Sequence, residues 1–356
     1  MMRINFGAGP SMIPPEVLKE AHKEFIDFEG SGISIMEASH RSTLYDKVHN
    51  EAIDLIRELY ALPNEFDILF LQGGASMQFA MVPLNLYEGG AIEFADTGVW
   101  STKAIEEAKL LGYNLKIVAS SEDETYSYIP EVNFSNDADY AYITSNNTIY
   151  GTQYKNFPKI KSPLVVDASS DIFSYMIDWE NVDLLFAGAQ KNAGPSGITI
   201  VIIRKNLLER SYNSVPTMLR YKTHAKANSL YNTPPTFSIY LLNLTMKWIK
   251  SQGGIKKIEK YNQSKASLLY EALDNSNGFY VPHAKKESRS LMNVSFKLQD
   301  NELESELLKE ATKAGMIGLK GHRSVGGLRA SIYNAMRIEG VSALCELLNE
   351  FAKKRG

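Results

Sequence analysis

Short apolar segments of β-type composition alternate with helical patterns through the first 205 residues of this 356-residue chain. The segment 66–71, for example, is followed by glycines at 73 and 74 and by a helical pattern over 77–86. Strands that alternate with helices predict an α/β fold, with a mostly parallel sheet covered by helices on both faces. The seven predicted strands are 66–71, 91–95, 115–119, 140–144, 164–166, 184–187 and 198–203.

The pattern of the chain changes after residue 205. A long apolar helix is predicted over 237–249, and Gly253 and Gly254 mark its end. The helices and strands that follow have the order of a smaller α+β domain. We therefore predict a large domain over 16–252 and a small domain formed by 1–15 and 253–356. The predicted elements of its C-terminal part are helices 255–273 and 303–314, strands 291–296 and 328–332, and a final helix.

The composition excludes several classes of protein. With 38 basic and 41 acidic residues the net charge is −3, so the chain has no excess of positive charge for binding nucleic acid. A single cysteine cannot form an internal disulfide, and no apolar segment approaches the ~18–20 residues that span a membrane. The N-terminal residues also lack the apolar stretch of a signal peptide. We therefore expect a soluble, cytoplasmic protein with neither nucleic acid nor membrane as a partner.

The cysteine and histidine residues do not indicate a reactive thiol or a metal site. Cys345 lies at helical spacing with Val341, Leu344 and Leu348, which is typical of a buried core residue. The six histidines show no metal-ligand spacing, so we expect no metal.

A glycine turn follows the first predicted strand of the sheet, at Gly73-Gly74-Ala75-Ser76. Glycines allow a ligand to approach the backbone, and the free N–H groups of a helix start favour an anion such as a phosphate. A simple tight turn is the commoner reason for such a pair of glycines. The turn lacks the fingerprints of dinucleotide and nucleoside triphosphate sites, so any phosphate bound here belongs to a smaller ligand.

An aspartate and a lysine follow two further predicted strands, at Asp167 and Lys191. Ligands of open α/β sheets bind at the carboxyl ends of the strands. A lysine that forms a Schiff base and a carboxylate that holds a ring nitrogen protonated suit pyridoxal phosphate chemistry. The alternative is a salt bridge or two unrelated surface charges. Trp100 also follows a strand, where it either stacks on a flat cofactor or bridges sheet and helix.

Five basic residues lie in or beside predicted loops and could together bind an anionic substrate. Guanidinium groups match carboxylate and phosphate oxygens with two parallel hydrogen bonds. Taken singly, each is more often a solvated surface charge. These residues are His40, Arg41, His322, Arg323 and Arg329.

In combination these motifs resemble the phosphoserine aminotransferase family, whose members are pyridoxal-phosphate enzymes with the aspartate aminotransferase fold. The resemblance extends over nearly the whole chain. Its most specific parts are the lysine motif Gly-Ala-Gln-Lys-Asn at 188–192 and Asn-Thr-Pro-Pro-Thr at 232–236. The other matching segments are 5–6, 9–10, 34–41, 73–79, 321–323 and 329–334.

The resemblance implies a fold type I enzyme, with a mostly parallel seven-stranded sheet in the large domain, and a role for each motif. Lys191 would form the Schiff base with pyridoxal 5'-phosphate, Asp167 would pair with its ring nitrogen, and Trp100 would stack on the ring. Thr148 would bond the region of the ring hydroxyl. The cofactor phosphate would be held by Ala75, Ser76 and Gln190 and, from a partner subunit, by Asn232 and Thr233.

The resemblance also implies the substrates and a homodimer with active sites at its interface. L-Glutamate and 3-phosphohydroxypyruvate would exchange an amino group in a ping-pong reaction of serine biosynthesis, with 4-phosphohydroxy-L-threonine as a possible second substrate in vitamin B6 biosynthesis. Arg329 would take the α-carboxylate. The distal phosphate or carboxylate would be bound by His40, Arg41, His322 and Arg323, the last two across the interface.

Two positions depart from the pattern of some family members. Ala8 replaces a serine, which removes one hydroxyl at the substrate entrance, and Ser76 replaces an arginine in the phosphate turn. Backbone amides can still bind the phosphate, so only the role of the Ser76 side chain is affected.

Four other functions are alternatives to phosphoserine amino transfer. Another class-V aminotransferase, such as the alanine–glyoxylate type, would not need the pair His322-Arg323, and a cysteine desulfurase would need a loop cysteine. A nicotinamide-dependent reductase would need a glycine fingerprint after the first strand. A non-catalytic sugar-phosphate binding protein would bind phosphohydroxypyruvate without a cofactor.

Overall fold

The computed structural model describes residues 3–210, 214–298, 300 and 302–356. The helices are α1 (Pro15–Lys23), α2 (Thr43–Tyr60), α3 (Gly74–Leu86), α4 (Val99–Leu110), α5 (Tyr221–Lys226), α6 (Thr236–Ser251), α7 (Ile255–Asp274), α8 (Glu302–Lys313) and α9 (Ile338–Arg355). The strands are β1 (Ile4–Asn5), β2 (Phe66–Leu71), β3 (Ile92–Asp96), β4 (Leu115–Ser120), β5 (Tyr140–Thr144), β6 (Asn146–Asn147), β7 (Thr152–Gln153), β8 (Leu164–Asp167), β9 (Leu184–Gly188), β10 (Thr199–Arg204), β11 (Tyr280–Pro282), β12 (Asn293–Leu298), β13 (Met316–Ile317) and β14 (Leu328–Ser331).

The central sheet has the strand order β2-β10-β9-β8-β5-β3-β4 and contains all seven strands predicted from the sequence. Strands β9, β8, β5, β3 and β4 are parallel to one another, whereas β10 is antiparallel to both of its neighbours. The exception has a simple cause, because a parallel neighbour needs a crossover connection and β9 and β10 are joined by a loop without a helix. The prediction of a mostly parallel sheet is confirmed.

Both faces of this sheet are covered, as the strand composition predicts. In β2, Ile68 and Phe70 belong to the hydrophobic core on one face, and Leu69 and Leu71 belong to the core on the other. Successive side chains of a strand point to opposite faces, so strands buried on both sides are continuously apolar. Because helices and side chains cover both faces, a ligand can reach the sheet at the carboxyl ends of its parallel strands.

Two helices begin earlier than their apolar patterns predict. Helix α3 begins at Gly74 instead of Met77, and α4 begins at Val99 instead of Thr102. The first turns of both helices contribute residues to the cavity described below, among them Ala75 and Trp100. Apolar periodicity reports only the residues that face the core, so it misses a first turn that faces a site.

The C-terminal residues form a separate hydrophobic core with the antiparallel sheet β11-β12-β14. The start of the chain belongs to this core, since β1 pairs with β13 and Phe6 is fully buried there. Cys345 is buried in α9, which confirms its expected core role. Helix α7 connects this C-terminal core with the core on the Ile68 face of the central sheet. Ile258, near the start of α7, packs in the core on that face, and Leu269 packs in the C-terminal core. Within the described ranges, the helices are too short or too polar to cross a bilayer.

Candidate active site

A cavity of about 520 Å³ lies at the carboxyl ends of β5 and β8, beside the starts of α3 and α4. It brings together residues that are far apart in the sequence. The predicted site residues that line it are Ala75, Ser76, Trp100, Thr148, Asp167, Gln190, Lys191, His322 and Arg329. A larger cavity, of about 800 Å³ between α1, α6 and α7, contains none of the predicted site residues.

Lys191 projects its amine into the cavity from the loop between β9 and β10. Its Nζ donates a hydrogen bond to Oγ1 of Thr148 at 2.7 Å and lies 5.5 Å from the centre of the Trp100 ring. Burial lowers the pKa of Lys191 to about 8, although the carboxylate of Asp167 opposes that shift. The neutral fraction of the amine near physiological pH is therefore much larger than that of an ordinary lysine, and the neutral amine is the form that acts as a nucleophile or a base.

Asp167 ends β8 and is buried in the wall of the cavity. Its Oδ1 accepts a hydrogen bond from the backbone N–H of Ser169 at 2.9 Å. Burial raises the pKa of Asp167, whereas Ser169 and the nearby Lys191 lower it. A carboxylate buried in this way favours a cationic partner inside the cavity, which a protonated pyridine nitrogen would supply.

Trp100 forms another wall of the cavity in the first turn of α4. The turn begins at Gly98, where a Cβ atom would come within 2.9 Å of the Asn147 side chain and of the Tyr150 ring. Glycine is therefore required there for the helix to approach β6. The indole Nε1 is buried and has no hydrogen-bond partner among the residues that the structure describes. The exposed part of the ring offers a flat surface on which a heteroaromatic ring can stack.

The glycine turn after β2 has a backbone geometry that favours an anion. Gly73 has the left-handed φ of 89°, and a Cβ atom on it would lie 2.5 Å from Cβ of Met77. The first helical hydrogen bond of α3 runs from Met77 N to Gly73 O, so the N–H groups of residues 74–76 precede the helical bonds. Together with the helix dipole, these groups favour a phosphate at Ala75 and Ser76.

Arg329 reaches the cavity from β14, and His322 reaches it from the preceding loop. The Nη1 atom of Arg329 donates to the backbone oxygen of Thr148 at 3.3 Å, and its Nε is buried with no partner within the described part of the chain. Burial lowers the pKa of His322, and Arg329, Arg323 and Lys103 lower it further. This side of the cavity is therefore electropositive and can accept anionic groups of a ligand.

Five predicted site residues do not line the cavity of their own chain. Asn232 lies beside the phosphate turn, with its Nδ2 bonded to Oε1 of Gln72 at 3.0 Å. The resemblance implied that His322 acts across an interface, yet it lines the cavity of its own chain. The residues outside the cavity are His40, Arg41, Asn232, Thr233 and Arg323.

The structure also adds cavity residues that the sequence patterns missed. Ser169 and Ser170 lie two and three residues after Asp167, and polar residues just beyond a buried strand would have indicated them. Gly9 comes from the start of the chain, next to Ala8, which the resemblance places at the substrate entrance. The backbone N–H of the nearby Ser11 donates to the oxygen of Gln190. No local pattern marks residues that reach the cavity through tertiary packing. Across the described residues, no cluster of metal-ligating side chains is present.

Residues 3–344 match the sequence family described as Aminotransferase class-V. A phosphoserine aminotransferase of Campylobacter lari is 56% identical over 99% of both chains. The solved structure of the phosphoserine aminotransferase from Bacillus circulans subsp. alkalophilus is 48% identical, with a TM-score of 0.96 over 99% of this chain and 98% of that one. A PLP-bound phosphoserine aminotransferase from Trichomonas vaginalis is 38% identical, with a TM-score of 0.93 over 97% and 99% of the two chains.

The sequence identity to these relatives extends over the full length of the chain. The same chain forms a cavity in which a lysine, a carboxylate, an indole and the glycine turn after β2 converge. The chain belongs to the class-V aminotransferases and, among them, to the phosphoserine aminotransferase family.

Proposed function

We propose that this chain is a phosphoserine aminotransferase that transfers the amino group of L-glutamate to 3-phosphohydroxypyruvate. The products are 2-oxoglutarate and O-phospho-L-serine, and the reaction serves serine biosynthesis. The observation that carries the proposal is the convergence in one cavity of the Lys191 amine, the buried Asp167 carboxylate and two separate anion-binding regions. This arrangement supplies a place for the cofactor, for its phosphate and for an acidic substrate.

The residues of the cavity fit pyridoxal 5'-phosphate. Ala75 and Ser76 would hold its phosphate, Trp100 would stack on its ring and Asp167 would pair with its ring nitrogen. When bound, the cofactor supplies an aldehyde that carries the amino group and a ring that accepts electrons from the substrate. The burial of the Asp167 carboxylate supports this assignment, because a buried charge is costly unless a cationic partner offsets it.

Lys191 is the residue that we assign to proton transfer. Its amine, with a pKa lowered to about 8, can take the proton from Cα of the amino-acid substrate. Thr148 holds Nζ at 2.7 Å and so fixes the direction from which the amine acts. The negative charge of Asp167 in the cavity wall stabilises positive charge that develops on a bound ring.

Arg329 is the residue that we assign to the substrate α-carboxylate. Its Nη1 is anchored to the backbone oxygen of Thr148, so the guanidinium group is held against the cavity. A carboxylate in the cavity would pair with this group by charge-assisted hydrogen bonds. His322 lies on the same electropositive side and would contact the distal phosphate or carboxylate.

Arg329→Gln is expected to lower kcat/KM for glutamate by about 10²-fold or more, because loss of a desolvated charge pair costs ~2–5 kcal/mol. Arg337→Gln is the matched control, since Arg337 pairs with Glu16 away from the cavity. Steady-state kinetics of the two variants test whether Arg329 binds the substrate α-carboxylate. Unchanged kcat/KM in Arg329→Gln, or equal losses in both variants, would contradict it.

The proposed reaction is tested by an absorbance scan and by kinetics on the purified protein. Glutamate alone is expected to bleach the visible band of the bound cofactor, and phosphohydroxypyruvate is expected to restore it. The second measurement compares kcat/KM for phosphohydroxypyruvate and for glyoxylate. A preference for glyoxylate would identify an alanine–glyoxylate type of enzyme, and binding without any cofactor spectrum would identify a non-catalytic protein.

We infer a division into a large domain, 16–252, and a small domain, 1–15 with 253–356, and a cytoplasmic homodimer with its active sites at the interface. The separate C-terminal core supports the division. The predicted phosphate ligands Asn232 and Thr233 lie outside their own cavity, as residues that serve a partner would. Exposed apolar side chains close to them support an interface, namely Tyr231 and Met77.

Mixed dimers test the shared site. In a dimer of one Lys191→Ala chain and one Asn232→Ala/Thr233→Ala chain, one site would carry both defects and the other would be intact. We therefore expect co-expressed chains to regain activity that neither variant has alone, together with a mass of twice 39.8 kDa. A monomeric mass, or mixed dimers without activity, would contradict the proposal.

A further inference from the structure

A second buried carboxylate lies behind the cavity wall, at Asp171, and nothing in the proposed reaction uses it. Asp171 is 1% exposed in the turn that follows β8. Its Oδ2 accepts hydrogen bonds from Nε2 of Gln153 at 3.1 Å and from the Tyr175 hydroxyl at 3.0 Å. Its Oδ1 lies 2.5 Å from Oγ of Ser145. An acid with this many donors is held in one position.

Ser145 connects this second acid to Asp167. Its Oγ lies within hydrogen-bond distance of two oxygens, Oδ1 of Asp171 at 2.5 Å and the backbone oxygen of Asp167 at 3.0 Å. A hydroxyl group has only one proton to donate. If Asp171 is ionised, that proton points to its carboxylate. If Asp171 is protonated, its own O–H donates to Ser145, and the Ser145 proton turns to the Asp167 oxygen.

Titratable groups of three structural elements face Asp171. They are Asp167 and Tyr175 at the end of β8 and in the segment that follows it, Lys191 after β9, and Tyr60 on α2. Burial raises the pKa of Asp171 to about 6, Asp167 raises it as well, and the three hydrogen-bond donors oppose the rise. The negative charge of Asp171 in turn raises the pKa of Lys191. The protonation of Asp171 is therefore coupled to the reactive lysine.

We propose that Asp171 is a positioning residue for the cofactor site, which sets the charge at Lys191 and the orientation of Ser145 against Asp167. The inference rests on the proposed function, because it concerns how a cofactor held by Lys191 and Asp167 carries its protons. When Asp171 is ionised, its field favours a proton on the nitrogen that Lys191 contributes. When it is neutral, that support is lost.

The first test is a spectrophotometric titration of the holoenzyme, which follows the visible band of the cofactor bound to Lys191. Asp171→Asn removes the charge with little change of shape, so the midpoint pH of the band is expected to fall by about 0.5–1 unit. Ser145→Ala is expected to shift the midpoint in the same direction, because without its donor Asp171 is more readily neutral.

Ser174→Ala is the matched control. The Ser174 hydroxyl donates to the backbone oxygen of Asp171 at 2.6 Å, so its loss perturbs the same turn and leaves the carboxyl group in place. Its midpoint is expected to stay within about 0.2 unit of the wild type, well under one pKa unit. An unchanged midpoint in Asp171→Asn, or an equal shift in Ser174→Ala, overturns the proposal. If Asp171→Asn fails to fold, the midpoint shifts of Ser145→Ala and Ser174→Ala are compared instead. A shift in Ser145→Ala alone supports the proposal, and equal shifts overturn it.

The second test uses the full chain without cofactor and measures the free energy of unfolding against pH. The folded-state pKa of Asp171, about 6, lies above its ordinary value of 3.8, so the folded state binds more protons between these values. Wild-type stability relative to Asp171→Asn should therefore fall as pH rises from about 4 through about 6. Parallel curves would overturn the proposal. This measurement does not depend on amino transfer. A failure of the proposed function can therefore be distinguished from a failure of the inference about Asp171.

Discussion

Replacing Lys191 with alanine is expected to abolish amino transfer, with a fall in kcat of at least about 10³-fold. The variant loses the amine that donates a hydrogen bond to Thr148 and lies 5.5 Å from the centre of the Trp100 ring. It therefore loses both the group that attaches the cofactor and the group that moves the proton at Cα. Single-turnover kinetics with glutamate measure this loss directly, because they do not depend on product release.

Two further measurements show whether the loss comes from the amine itself. A small primary amine such as methylamine, added to the Lys191→Ala protein, should restore part of the rate, because it replaces Nζ without the side chain. Lys103→Ala removes another lysine near Trp100, one that is exposed, and should retain the visible band of the cofactor. A Lys191→Ala protein that keeps the band and the activity would exclude our assignment.

Lys265→Met is expected to lower the free energy of unfolding by about 3–5 kcal/mol, the largest stability effect that we predict. Lys265 is fully buried in α7, and its Nζ donates to the backbone oxygens of Ile332, Tyr333 and Met336 at 2.9, 2.7 and 3.0 Å. Methionine preserves most of the side-chain volume but removes the amine donor from all three oxygens, of which that of Tyr333 keeps the backbone N–H of Met336. Each buried group left unsatisfied costs ~1–3 kcal/mol.

The effect of Lys265→Met should depend on pH with a defined sign. Burial lowers the pKa of Lys265 to about 7 from the ordinary 10.5, so the unfolded chain binds more protons between these values. Wild-type stability relative to the variant should thus increase from about pH 7 to about pH 10. Urea unfolding at several pH values measures this. Lys260→Met, at an exposed position of the same helix, should change stability by less than about 0.5 kcal/mol. A similar loss in both variants would contradict the prediction.

The sequence predicted the parts of this protein that depend on local periodicity. All seven strands of the central sheet are identified from their apolar composition, because strands buried on both faces are continuously apolar. The edge strand β4 is only partly buried, and its apolar residues Leu115, Ile117 and Val118 still identify it. Asp167 and Lys191 could be placed together because the carboxyl ends of parallel strands meet at one edge. The same reasoning placed Trp100 and the turn at Gly73 close to them.

The residues that sequence patterns left open depend on packing between distant segments. Arg329 and His322 meet Lys191 only because the C-terminal sheet lies against the end of β5, and no local pattern encodes that contact. A buried lysine such as Lys265 looks like any helical surface lysine until three backbone oxygens are found around it. Asp171 lies four residues after Asp167, but two of the side-chain hydrogen bonds to its carboxylate come from β7 and from the residue after β5.

The span of α7 has a practical consequence for anyone who wishes to divide this chain. Its 20 residues form a rod of about 30 Å whose two ends are anchored in different hydrophobic cores. A recombinant fragment that stops at residue 252 would leave a hole where Ile255 and Ile258 belong, and would still carry Phe6 with its packing partners removed. Productive truncation or gene fusion must therefore preserve residues 4–351 as one continuous unit.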